Sequence, residues 1–257
     1  ESGTDDLGDD EADLDQCVLY YSRQNDCLRQ ELESLWNQQP ILNNDNNSGT
    51  RNVPNGGFLF PRSFVWAEEA FGVPEPDEVN LWMGDERAVS SMHKDHYENL
   101  FYVLQGEKVF TLCPPSDAPF LYEQPVPSGQ FCQRRHTGSV NHPNISEWAV
   151  RMDERDTETN KVGSENSTNE PHVQWIAADV LHPDLVQFPL LQYAHPIPQV
   201  RVQAGEMLYL PSLWFHRVTQ TCETVGINWW YDMKFDSPLW CYFHFLQQMK
   251  PTNIPSD

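Results

Sequence analysis

Between Val79 and Leu112 apolar side chains come in short runs broken by turn chemistry. Val79-Asn80-Leu81-Trp82-Met83 reads as a strand, as does Leu100-Phe101-Tyr102-Val103-Leu104. Gln105-Gly106-Glu107 is then expected as a hairpin connection into Val109-Phe110-Thr111-Leu112. The pattern resumes at Gln199-Val200-Arg201-Val202 and runs through Met207-Leu208-Tyr209-Leu210, Phe215-His216-Arg217-Val218 and Val225 to Tyr231. Earlier, Cys17-Val18-Leu19-Tyr20-Tyr21 is a short strand candidate, and Leu28, Leu32, Leu35 and Trp36 recur at a helical spacing. Asn43 to Asn55 is turn chemistry and is expected as loop. Many short strands punctuated by Gly and Pro, with little helix and no internal repeat, predict a mainly β fold of the sandwich or barrel kind.

Two stretches depart from that pattern. Residues 1–15 carry eight acidic side chains and almost nothing to bury, so a mobile tail is expected. Pro125 to Pro171 is polar and lacks apolar periodicity, which predicts a long insertion at about 125–171 with a mobile portion near Asp153–Glu170. The folded domain is then 16–250, with 251–257 as a C-terminal tail.

Composition narrows the class of partner. At 257 residues the chain is long enough for one domain with a sizeable core. Lys and Arg number 16 against 38 Asp and Glu, a formal net charge of -22. Such a surface repels phosphate backbones and anionic lipid, so neither nucleic acid nor membrane is expected; it would draw in a basic partner, but acidity is also a common solubility device, and the charge alone favours that reading. Six cysteines without a Cys-x-x-Cys pair lend no support to zinc-ribbon or thioredoxin chemistry, and reduced thiols in a cytoplasmic or nuclear protein are expected. Glycosylation triplets at Asn46, Asn144 and Asn166 matter only for a secreted chain. No stretch approaches the apolar length of a membrane span. Position 1 is Glu rather than Met, so a processed product or a piece of something longer is expected.

Candidate chemistry centres on His93-Lys94-Asp95 and the distant His216. Two imidazoles and one carboxylate can hold one face of an octahedral metal and leave the opposite positions open, as in non-heme Fe(II) oxygenases. His93 and Asp95 are two residues apart, so on a strand both leave the same face. His96-Tyr97-Glu98 is the fallback, at an odd separation from His93. His182-Pro183-Asp184 lies in a proline-dotted stretch and reads as loop. Gly205 gives a tight turn into a strand, and Pro211 bends the chain towards Trp214-Phe215-His216. Lys108 interrupts an apolar strand; it is either a buried ammonium that requires an anion or a solvent-facing lysine at a hairpin edge. Trp229, Trp230 and Tyr231 read as core aromatics, Glu98 as structural, and His136, His142, His172, His195 and His244 as surface or structural residues.

With these residues on the page, the chain resembles the JmjC-domain 2-oxoglutarate oxygenases. The resemblance rests on His93-Lys94-Asp95-His96-Tyr97-Glu98-Asn99-Leu100, Gly106-Glu107-Lys108, Pro114-Pro115-Ser116-Asp117, Ala204 to Pro211, Leu213-Trp214-Phe215-His216 and Asn228 to Met233, and runs from about Val18 to about Gln248. It implies a double-stranded β-helix of the cupin or jelly-roll type with a few flanking helices. It also implies Fe(II) held by His93, Asp95 and His216, with 2-oxoglutarate and O2 as co-substrates. Lys108, fifteen residues after His93, matches the position that pairs with the distal carboxylate of 2-oxoglutarate. Ser90 falls where relatives carry Thr, Tyr20 matches a co-substrate-binding tyrosine, and Asn99 and Asn228 match polar residues lining the pocket. No catalytic side chain beyond the metal centre is singled out. The partner implied is a protein substrate bearing a lysine, hydroxylated at C-3 in a GTP-binding protein of the translation-factor class. Demethylation of histone lysine, metal-dependent peptidase action on basic tails and a non-catalytic cupin-like module stand as alternatives. Relatives carry roughly a hundred residues before the stretch matching Val18, the size of an added subdomain. That segment contributes to dimerisation in the family, so a homodimer is expected where it is present.

Overall fold

The structure, a computed structural model, describes residues 18, 20–22, 25–34, 61–134, 147–152, 172–195 and 198–249. The acidic tail at 1–15, Leu35 and Trp36, the loop at 43–55, the portion at 153–170, the tail at 251–257, Cys17, His136, His142 and all three glycosylation triplets lie outside them. The chain divides into two compact units, one of Glu1–Pro119 with Tyr193–Asp257 and one of Phe120–Gln192.

The first unit is built on two antiparallel sheets, with strands numbered in chain order. In one sheet β1 (Tyr20–Ser22), β2 (Glu78–Gly84), β13 (Thr224–Asp232), β4 (Tyr97–Gln105) and β11 (Met207–Leu210) lie side by side in that order. In the other the order is β10 (Gln199–Gln203), β5 (Glu107–Cys113), β12 (Phe215–Gln220) and β3 (Ser90–Lys94). The mainly β architecture expected from the strand pattern is therefore present, with antiparallel sheets as the resemblance implies.

Alternation along each strand sorts the side chains into two cores. On β13, Ile227, Trp229 and Tyr231 leave one face and join Val79, Leu81, Leu100, Cys27, Leu28 and Ala67. Ala67 comes from helix α1 (Val65–Phe71), which roofs this outer core. The opposite faces meet between the sheets, where Phe101, Val103 and Leu210 pack on Phe110, Leu112 and Val202. Phe101 and Phe110 touch edge to face, with centroids 5.3 Å apart.

The junction at Gly106 differs from the expected hairpin. β4 pairs with β13 and β11, whereas β5 pairs with β10 and β12, so Gly106 is a corner between sheets rather than a turn within one. Both hydrogen-bonding edges of β4 are already taken, which leaves β5 no place beside it. Gly106 has φ 80, and a Cβ there would strike the Glu223 carbonyl oxygen and the Thr224 hydroxyl, so no other residue fits.

A second crossing carries the chain from β11 to β12 through Pro211-Ser212-Leu213-Trp214. Leu213 takes a left-handed conformation, φ 67, held because its N–H donates to the Asp95 carbonyl at 2.9 Å. After β13, helix α2 (Pro238–Gln248) starts from Ser237, whose side chain accepts from the Trp240 N–H at 3.2 Å. The helix buries Phe243 and Leu246. Lys94 points away from His93, its ammonium 5.6 Å from the Phe215 ring centroid and 5.5 Å from that of Phe243.

In the second unit β6 (Glu123–Pro127) pairs with β9 (His172–Ile176), and β7 (Gly129–Arg134) pairs with β8 (Glu147–Met152). Tyr122 meets Phe188 edge-on at 5.1 Å, and its hydroxyl accepts from the Leu190 N–H at 2.9 Å. Ladders of this kind rest on backbone hydrogen bonds, so they form where the sequence shows no apolar period. Among the described residues Cys27, Cys113, Cys222 and Cys241 are free thiols, and no helix is long and apolar enough to cross a membrane.

Candidate active site

β3 and β12 are antiparallel neighbours, and their register sets His216 opposite His93. Asp95 follows two residues after His93, just past the end of β3. One ligand atom from each of His93, Asp95 and His216 lies within 4.8 Å of the others. The imidazole centroids are 4.3 Å apart, and His216 Nε2 is 3.5 Å from Asp95 Oδ2. Among the described residues no other group of three such side chains converges.

Hydrogen bonds fix which nitrogens face inward. His93 Nδ1 donates to the Ser91 carbonyl at 2.6 Å, and His216 Nδ1 donates to the Trp214 carbonyl at 3.0 Å. A carbonyl only accepts, so each Nδ1 carries a hydrogen and each Nε2 is the nitrogen left to face inward. Burial, aided by the facing His93, pushes the pKa of His216 down to about 4. The ring is therefore neutral, and its contact with Asp95 is not an ion pair. Two imidazoles oriented through their far nitrogens, beside one carboxylate, fit a divalent transition metal.

The turn before His216 is tied to the same place. Glu98 accepts from the Ser212 N–H at 3.3 Å, the Ser212 hydroxyl at 2.8 Å and the Tyr209 hydroxyl at 2.6 Å. Its role is structural, as the sequence suggests. His96 faces Phe235 and Trp240, with centroids 5.9 and 5.6 Å away. The fallback pair does not converge. His182 is exposed beside Asp179, 3.3 Å away, and His195 Nδ1 donates to the buried Asp117 at 2.6 Å. His244 stacks on Trp240; the side chain of His172 is not described.

The second half of the site follows from the β5–β12 register, which places Leu112 opposite His216, Phe110 opposite Val218 and Lys108 opposite Gln220. Even spacing puts all six on one face, turned towards the other sheet. Lys108 is 1% exposed. Its ammonium donates to Gln220 Oε1 and to the Tyr20 hydroxyl at 3.4 Å, and it lies 4.9 Å from the Tyr20 ring centroid. Tyr20 in turn hydrogen-bonds Ser90. Among the described residues no carboxylate pairs with Lys108, and burial pushes its pKa down to about 8. Of the two readings of Lys108, the structure takes the buried one.

Ser90 reaches this face through a register shift. β3 uses three residues, His93 to Ser90, where β12 uses two, His216 to Val218, which brings Ser90 into phase with His93. One such pair step is about 7 Å along a strand. Asn99 and Asn228 are buried on the facing sheet, with Asn228 Nδ2 donating to Asn99 Oδ1 at 3.2 Å and Asn228 Oδ1 accepting from Trp82 Nε1 at 2.8 Å.

Gln220 escapes the sequence reading, whereas Trp230 is read there with its neighbours as a core aromatic that could also shield a metal. Gln220 lies four residues after His216, an even separation that already assigns it to the same face. Trp230 alternates with Trp229 and Tyr231, so it leaves β13 towards the inter-sheet space while they enter the outer core. It is 5% exposed and stacked on Tyr97 at 4.8 Å, two residues beyond Asp95. Its indole N–H is the one buried side-chain polar atom without a partner among the described residues. A lone buried donor is costly, and a ligand acceptor would satisfy it.

Comparison with known proteins places this geometry in a family. A family profile described as "Cupin-like domain" matches residues 4–237. The chain is 40% identical over 185 residues to the human "Bifunctional peptidase and (3S)-lysyl hydroxylase JMJD7", covering 72% of this chain and 50% of that protein. It is 39% identical over 196 residues to the Dictyostelium discoideum "JmjC domain-containing protein E", with 71% and 50% coverage. To the Arabidopsis thaliana "Lysine-specific demethylase JMJ32" it is 35% identical over 243 residues, with 90% and 57% coverage. The chain thus spans about half the length of the curated relatives it matches. With the ligand geometry, the sheet topology and these matches in agreement, the chain belongs to the cupin-like JmjC-domain oxygenase family.

Proposed function

We propose that this chain is an Fe(II)- and 2-oxoglutarate-dependent protein hydroxylase acting on a lysine side chain. The observation that carries the reading is the Lys108 ammonium, buried without a carboxylate on the same inner face as His93 and His216. A charge so placed needs an anion. An anion that also reaches the metal end must carry a chelating group some 7 Å or more away along the strands, as a keto-diacid does.

The division of labour follows from the geometry. His93 and His216 offer Nε2 and Asp95 a carboxylate oxygen. Lys108, Tyr20 and Ser90 receive the distal carboxylate, while Phe110, Leu112 and Val218 keep water from the span between. Asn99, Asn228 and Trp230 line the facing wall. Iron and 2-oxoglutarate, when bound with O2, supply oxidation of an unactivated C–H bond coupled to release of succinate and CO2. The finer reading is C-3 hydroxylation of a lysine, which the name of the human relative supports, in a GTP-binding protein of the translation-factor class; the net charge of -22 suits a basic partner.

Removal of an N-methyl group from lysine is the second reading, favoured by the Arabidopsis relative that matches 90% of the chain. The test is mass spectrometry of lysine-containing proteins incubated with the chain, Fe(II) and 2-oxoglutarate. A gain of one oxygen on lysine, with succinate formed and both lost in Lys108→Ala, is the expected result. Loss of a methyl group would favour demethylation. Product that forms without 2-oxoglutarate, by cleavage of the chain, would overturn oxygenase action in favour of peptidase chemistry.

A further inference from the structure

We infer that Gln220 makes this pocket select a keto acid with a second carboxylate, because its neutral amide holds the Lys108 ammonium in place without cancelling its charge. The inference rests on the co-substrate reading above and concerns a positioning residue, since Gln220 lies two pair steps from the metal ligands.

The amide has only one workable orientation. Gln220 Nε2 donates to the Asp85 carbonyl oxygen, which cannot donate in return, so Oε1 is the atom left to face Lys108. Turned the other way, an NH2 group would meet an ammonium, donor against donor. Packing holds this arrangement: Gln220 is 4% exposed, and a Cβ on Gly84 would come within 2.6 Å of Tyr20 Cδ2 and 2.8 Å of Gln220 Nε2. The absence of a side chain at Gly84 is what lets tyrosine, amide and lysine share the space.

The charge balance then follows. An ammonium has three N–H donors, of which Gln220 and Tyr20 accept two among the described residues. Both acceptors are neutral, so the unit charge remains for an incoming anion. A glutamate at 220 would have nearly the same shape but would compensate Lys108 from within. A ligand carboxylate would then enter a pocket with no net positive charge. One amide in place of one carboxylate thus decides whether the pocket distinguishes a dicarboxylate keto acid from a monocarboxylate one.

The test uses the full chain loaded with Mn(II), so that binding is read without turnover. Calorimetry compares 2-oxoglutarate with 2-oxobutyrate, which keeps the chelating keto acid and lacks the distal carboxylate. In Gln220→Glu the affinity for 2-oxoglutarate is expected to fall about 10- to 100-fold, the worth of one hydrogen bond to a charged group. Binding of 2-oxobutyrate should be unchanged. Equal weakening of both ligands, or no weakening of 2-oxoglutarate, overturns the inference. Gln220→Met decides the matter if the glutamate variant fails to fold: it removes the amide that holds the ammonium in place, so 2-oxoglutarate binding must weaken while 2-oxobutyrate binding is unchanged, and an undiminished preference for 2-oxoglutarate counts against the inference. Failure of the unaltered chain to bind 2-oxoglutarate would instead sink the co-substrate reading itself, and this inference with it.

Discussion

At the scale of single residues the account turns on Lys108. Burial lowers its pKa from 10.5 to about 8. The unfolded chain therefore holds this proton up to higher pH than the fold does, and stability rises with pH between those two values. Below pH 8 the full penalty is present, about 3 kcal/mol. Lys108→Met removes the charge at similar volume, so it should stabilise the free protein near neutral pH and flatten its stability between about pH 8 and 10.5, while strongly weakening 2-oxoglutarate binding. Denaturant midpoints of both proteins across that range check this; parallel curves would show that the ammonium is not desolvated. The convergence of His93 and Asp95 was legible from sequence because strand parity assigns them to one face. The burial of Lys108 was not, because it depends on β10 and β12 flanking β5, a tertiary fact absent from the local pattern.

At the scale of elements the strands themselves were readable, and their partners were not. Alternation marks β2, β4, β5, β12 and β13, but residues 105–107 carry the same signal for a hairpin and for a corner. What decides is that β11 and β13 already occupy both edges of β4. The corner makes a specific demand on Gly106, which has φ 80 and no room for a Cβ, whereas Gly205 has φ 90 and open space around it. Both alanine variants carry the backbone cost, about 1 kcal/mol, but only Gly106→Ala adds a clash with Glu223 and Thr224. Gly106→Ala should therefore lower the unfolding midpoint clearly more than Gly205→Ala. Equal losses would mean that the corner tolerates a side chain. Trp230 shows the same limit in another form, since its pairing in sequence with Trp229 hides that the two rings leave opposite faces of the sheet, Trp229 into the outer core and Trp230 onto Tyr97.

At the scale of the whole molecule, two sheets of the first unit bring together residues from Tyr20 to Trp230, and no short segment holds the site. The candidate metal end draws on β3, the residue just after it and the start of β12, and the proposed anion end on β1, β5 and the far end of β12. The fold was legible because many short strands with Gly and Pro between them leave few architectures open. The pocket was legible only where ligand chemistry restricts residue type, as at His-x-Asp, and opaque where a common residue such as Gln220 acts through its neighbours. The central claim is that both ends form one site for a ferrous ion and a keto-diacid. Visible absorption under exclusion of O2 tests it directly, through the charge-transfer band of a keto acid chelated to Fe(II). The account predicts a band that requires both components, is absent in His216→Ala, and needs far higher 2-oxoglutarate in Lys108→Ala. A band of undiminished strength in both variants would contradict it.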